Sequence, residues 1–91
     1  MRFEWDTQKE QKNIKKHGIS FEEAQDALTC GAVVVLKEDE RHDEQRFIFL
    51  GMCKRLKILV VVVAYPEELV TRIISARRAT KSERIFYETQ L

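Results

Sequence analysis

The sequence predicts a single α+β domain over residues 1–91, with two N-terminal helices, an antiparallel β-meander and a C-terminal helix. Three observations predict it. Helix-start signals stand at Asp6, at Ser20 with Glu23, and at Thr80 with Glu83. From Ala32 onward β-branched and aromatic residues replace the helical pattern. The run Ile58 to Ala64 lacks apolar–polar alternation, which marks a central strand covered on both faces. With 44% apolar and 34% charged residues in a chain of 91, the composition is that of one folded domain rather than a disordered segment.

Each element follows from local chemistry. Phe3 to Trp5 can form a short strand, and Asp6 caps a helix from Thr7 to about His17, which Gly18 ends in the left-handed conformation. Ile14 is the only aliphatic residue of that helix, so its lysines are free to face a ligand. Ser20 with Glu23 forms a capping box for a second helix, and Phe21, Ala24 and Leu28 give it a buried face. Strands are expected at Ala32–Leu36, Arg46–Met52, Lys57–Ala64 and Leu69–Ser75. The short links between them make these strands antiparallel neighbours, with Pro66 in a turn where its missing N–H is harmless. Thr80 with Glu83 opens a last helix whose Ile85 and Phe86 return to the core.

Several function classes are excluded early. The chain starts with a charged stretch rather than an apolar signal segment, and its longest apolar run, Ile58 to Tyr65, is far below the roughly 18 residues of a membrane span, so a soluble cytoplasmic protein is expected. Cys30 and Cys53 form no C-x-x-C pair and read as buried or half-buried thiols. There is no Gly-rich phosphate loop, no H-E-x-x-H and no G-x-S-x-G, so neither metal nor cofactor is expected.

The net charge of +1 hides a separation along the chain. Lys9, Lys12, Lys15 and Lys16 make the first helix basic, Glu38 to Glu44 make the middle acidic, and Arg72, Arg77, Arg78, Lys81 and Arg84 make the end basic. Two basic segments brought together would bind polyphosphate. The available Arg, Lys, His and Glu side chains suit cleavage of RNA, where the ribose 2′-hydroxyl is the nucleophile and the protein supplies a base, an acid and cations.

His17 is the first acid–base candidate, because imidazole changes charge near neutral pH and Lys15 and Lys16 would hold a phosphate beside it. A helix-terminal histidine also serves as a cap, and that alternative stands open. Arg77 and Arg78, at the junction of the last strand and last helix, are candidates to grip the phosphate bidentately, against an ion pair with the acidic loop. Arg46 and Arg72 could line the same groove, Glu44 could act as a base or orient Arg46, and His42 reads as a solvated loop residue. Lys9, Lys12, Lys16, Arg72, Lys81, Arg84 and Tyr87 complete the candidate RNA-binding set, Tyr87 and Trp5 having packing as the competing role.

The same residues carry a family resemblance. Phe3-Glu4-Trp5-Asp6, Lys9, Asn13 and Lys16 through Ala24 resemble the opening of the BrnT toxins. His42, Glu44, Arg46, Phe47 and Gly51 resemble the middle motif of that family, and Arg72 through Thr80 with Glu83, Arg84 and Tyr87 resemble its ending. The chain departs from the family pattern at Cys30-Gly31 and at the Pro66-Glu67-Glu68 turn, both outside the candidate site. The resemblance implies a RelE-like fold, a ribonuclease that halts translation, and neutralisation by a BrnA-type antitoxin whose ribbon-helix-helix part binds operator DNA.

Two readings follow. The first is a metal-independent endoribonuclease with Arg77, Arg78, Arg46 and His17 around the scissile phosphate. The second is a non-catalytic RNA- or protein-binding module whose basic face docks an acidic partner.

Overall fold

A computed structural model of the chain describes residues 2–40 and 44–91, so His42 lies outside the described residues. The elements run β1 (Arg2–Glu4), α1 (Thr7–His17), α2 (Phe21–Thr29), β2 (Val33–Asp39), β3 (Arg46–Met52), β4 (Ile58–Glu67), β5 (Val70–Arg78) and α3 (Lys81–Thr89). The capping chemistry forms as expected. Asp6 accepts from the N–H groups of Gln8 and Lys9, and both capping boxes, Ser20–Glu23 and Thr80–Glu83, close. Gly18 ends α1 at φ 71°, a conformation that disfavours any side chain with a Cβ.

The strands form one sheet in the order β1-β5-β4-β3-β2. The antiparallel meander of β2 to β5 is present, but β1 pairs with β5 in parallel, so the sheet is mixed rather than wholly antiparallel. The short strand was expected, but its parallel pairing with the last strand is invisible to local pattern, because that pairing depends on how α1 and α2 cross over the sheet.

Three strand ends differ from expectation. β2 runs on through Lys37, Glu38 and Asp39, which pair with Ile48, Phe47 and Arg46. Charges are tolerated there because β2 is an edge strand. β4 continues through Pro66, which sits inside a register shift between Ala64 and Glu67, so no ladder bond is lost; the turn itself is Glu68–Leu69. β5 includes Arg77 and Arg78, paired with Val60 and Leu59.

One face of the sheet is sealed over its centre. Ile19, Phe21, Ala24 and Ala27 of the helical layer meet Leu59, Val61, Val63, Ile73 and Ala76, with Trp5 edge-on to Phe21 at 6.1 Å. Gly51 lets α2 approach, since a Cβ there would run into the Ala27 backbone. Where β1 ends, Asn13 substitutes for a further strand at the outer edge of β5. Its amide accepts from the Ala76 N–H at 3.1 Å and donates to the Ala76 and Ile19 carbonyls at 2.8 and 2.9 Å. A helix with almost no apolar stripe is thus anchored by a buried amide.

The opposite face is half covered. Leu50, Ile58 and Val60 pack with Ala79 and Tyr87, the inward residue of α3. Ile85 and Phe86, expected in the core, are 52% and 39% exposed, while Tyr87 is 3% exposed. The angle at which α3 leaves Thr80 turns Tyr87 rather than its neighbours inward. Cys53 is buried but Cys30 is exposed, against expectation, and its thiol donates to Asp26 Oδ1, which pushes its pKa up. Among the described residues, no helix is long and apolar enough to cross a membrane.

Candidate functional site

The uncovered half of that second face is a groove of about 480 Å³. Its floor is Leu36, Ile48, Val60 and Val62, with Ser75 and Ala76 beside them. Lys16 and His17 at the end of α1, Lys37 on β2, Arg77 on β5 and Glu83 on α3 line it as well. α1 lies along β5, and the Asn13 anchor at Ala76 fixes the last turn of α1 next to Arg77. The basic ends of two segments far apart in sequence therefore meet over apolar side chains.

Arg77 and Arg78 line different cavities, although they are successive residues of β5. Arg77 lines the groove; Arg78 lines a second cavity of about 340 Å³ with Lys57, Arg84 and Glu88. Among the described residues the ion pair of Arg77 is with Glu83 rather than with the acidic loop: Nη1 donates to Oε1 at 2.8 Å and Nη2 to Oε2 at 3.0 Å. These bonds to Arg77 pull the Glu83 carboxyl down to about 2. Glu83 also accepts from the Thr80 N–H at 2.8 Å, so the capping box and the ion pair share one carboxylate.

Arg46 and Arg72 form a separate cluster. Both are cross-strand neighbours of Ala64, four residues along β4 from Val60, the neighbour of Arg77. At about 3.3 Å per residue that is about 13 Å of backbone between them. Arg72 Nε donates to Glu4 Oε2 at 2.8 Å, and Glu44 lies 3.9 Å from the same guanidinium. Glu44 thus pairs with Arg72, correcting the expectation that it orients Arg46. The Nε of Arg46 is buried without a hydrogen-bond partner.

Of the remaining candidates, Lys16 is at the groove and Lys9 lines a cavity with Trp5 and Arg72. Lys12 and Lys81 are exposed on their helices and line neither the groove nor the second cavity. Arg84 donates to the Ala79 carbonyl and lines the second cavity. Tyr87 leaves the RNA-binding set: it is buried and its hydroxyl donates to the Ala32 carbonyl at 2.8 Å. An aromatic so enclosed offers no ring face to a base.

Sequence reasoning missed two groove residues, Glu83 and Lys37. Glu83 was fully explained as a helix cap, and only its reach back across the strand–helix corner to Arg77 reveals a second role. Lys37 was hidden because the edge strand was ended one residue before it. Among the described residues, no group of three or more His, Cys, Asp or Glu converges.

Residues 5–83 match the family described as the ribonuclease toxin, BrnT, of type II toxin-antitoxin systems. The fold is similar to the crystal structure of the Brucella abortus ribonuclease toxin, BrnT, with 26% sequence identity, 89% of this chain and 99% of that chain covered, and a TM-score of 0.65. None of the curated proteins matches the chain.

Proposed function

The chain belongs to the BrnT family of ribonuclease toxins of type II toxin-antitoxin systems, and we propose that it cleaves RNA in the groove lined by Lys16, His17, Arg77 and Glu83, without a metal. The observation that carries this reading is the meeting of Lys16, His17, Lys37 and Arg77 around one apolar-floored groove. A base can lie against Val60, Val62 and Ile48 while its phosphate meets the cations. Stacking on an aromatic is not the mode here, because the floor is aliphatic.

The chemistry needs a proton taken from the ribose 2′-hydroxyl, charge stabilisation on the phosphorane, and a proton given to the leaving 5′-oxygen. His17 is the imidazole at the groove and takes or supplies one of these protons. Glu83, held near 2 by Arg77, is too weak a base to compete. Arg77 and Lys16 stabilise the charge that builds on phosphorus. Arg78 and Arg84 on one side, and Lys9 and Arg72 on the other, extend the basic surface for the flanking strand.

Cleavage in the cell halts translation. A BrnA-type antitoxin holds the toxin silent and carries the operator-binding ribbon-helix-helix part, and the toxin itself has the RelE-like layout. The test is purified protein with RNA in excess chelator. Cleavage is expected to persist, and Arg77→Ala is expected to lower its rate by about 10²- to 10³-fold, the typical loss of one transition-state donor. His17→Ala should flatten the pH profile. RNA retained but uncut by the wild type would leave the non-catalytic binding module as the function.

A further inference from the structure

The guanidinium of Arg77 has five N–H donors in a fixed plane. Its Nη1–Nη2 end is engaged by Glu83, and Nη1 also donates to the Arg78 carbonyl at 3.2 Å. Two donors remain, Nε–H and the second Nη2–H. They lie side by side along one edge of the plane, with the parallel geometry that two phosphate oxygens accept. The Arg77 side chain is 41% exposed, and among the described residues its hydrogen bonds use Nη1 and Nη2 alone, which leaves this edge to solvent or ligand.

Glu83 is itself immobilised. The Thr80 backbone N–H donates to its Oε1, so the carboxylate is tied to the start of α3 by a bond that needs no Thr80 side chain. Both side chains line the groove.

We propose that Glu83 is a positioning residue for RNA cleavage, clamping the Nη1–Nη2 end of Arg77 to α3 so that the Nε–Nη2 edge grips the scissile phosphate. The proposal rests on the groove being the cleavage site. It explains why an arginine rather than a lysine stands there, since an ammonium has no second edge to present once a carboxylate has taken it. It also gives α3, which covers only half of a sheet face, a part in the reaction.

The experiment measures kcat and KM for RNA cleavage by Arg77→Lys, Glu83→Gln, the double variant and Thr80→Ala, with circular dichroism to confirm folding. Arg77→Lys and Glu83→Gln are each expected to lower kcat by about tenfold to a hundredfold with little change in KM, as misplaced transition-state contacts do. The double variant is expected to be no slower than Arg77→Lys alone, because lysine leaves Glu83 no edge to set. Thr80→Ala removes the other half of the capping box and is expected to keep its kcat. Should Glu83→Gln unfold, Glu83→Asp, which keeps the charge but draws the carboxylate back by one methylene, is read in the same way.

Wild-type kcat in Glu83→Gln overturns the proposal, as does a double variant that loses the product of the two single effects. Thr80→Ala as slow as Glu83→Gln overturns it too, since that would mean a role in α3 stability alone. If Arg77→Lys itself cleaves at the wild-type rate, the groove is not the cleavage site and the reading beneath the proposal falls first.

Discussion

The two faces of the sheet are made by the same strands, yet α1 and α2 seal the centre of one of them, leaving Val33 and Val35 of the edge strand exposed, while α3 closes only one end of the other. Length accounts for much of the difference. A helix of nine residues is about 14 Å long, whereas a strand of ten spans about 33 Å, so α3 alone leaves part of its face bare. The sealed face therefore carries stability, and the bare end of the other exposes Leu36, Ile48 and Val62 beneath Lys16, His17 and Arg77. One strand, β4, serves both purposes because its side chains alternate.

That division can be broken most severely at the sealed face. Leu59→Ala, on a fully buried residue of that core, is expected to cost about 2 to 5 kcal/mol by denaturant titration. The matched truncation in the groove floor, Val62→Ala, is expected to cost less than about 1 kcal/mol, since water and ligand reach its site. Equal losses would mean that the groove closes in solution.

Asn13→Ala tests the edge between the faces. It strands the Ala76 N–H and two carbonyls, and a loss of about 3 kcal/mol is expected, read as a fall in melting temperature. RNA cleavage should fall as well, because the last turn of α1 is then no longer fixed beside Arg77.

Acid provides a smaller effect with a definite sign. The Glu83 carboxyl is depressed from 4.5 to about 2 in the folded chain, chiefly by its hydrogen bonds from Arg77. Its contribution is therefore present above the unfolded value and is lost as pH falls from about 5 towards 2. Arg77 is 41% exposed, so the contribution is on the order of 1 to 2 kcal/mol after screening. Melting curves of Glu83→Gln should lose this part of the acid dependence while keeping the part due to Glu23 and Asp26, whose carboxyls are also lowered. The smallest effect is expected at Ile85→Ser, within about 0.5 kcal/mol, because that side chain points away from the sheet.

Much of the local structure was legible in the sequence. Asp6, Gly18 and the two capping boxes act through bonds between near neighbours, so the helix limits follow from residues a few positions apart. The unalternating run in β4 announced a strand buried on both sides. The basic character of α1 and of the β5–α3 corner was equally plain, and so were Lys16, His17 and Arg77 as candidates.

What the sequence could not show were the partners of those groups. Glu44 was matched with Arg46 by proximity along the chain, yet it lies beside Arg72 across the sheet. Arg77 and Arg78 read as a pair, yet they line different cavities beside α3. Phe86 is half-exposed where a core residue was expected, and Tyr87 is buried as its packing alternative has it, because the docking angle of α3 decides which side turns inward.

Residue chemistry and short-range spacing by themselves determined the elements and the central strand, since capping and hydrophobic patterning act over a few residues. Only the tertiary structure decided that β1 joins the far edge in parallel, that Asn13 anchors α1 to β5, and that Glu83 holds Arg77 at the groove. Those choices depend on contacts between residues distant in the chain, whose energies exist only once the helices have crossed the sheet.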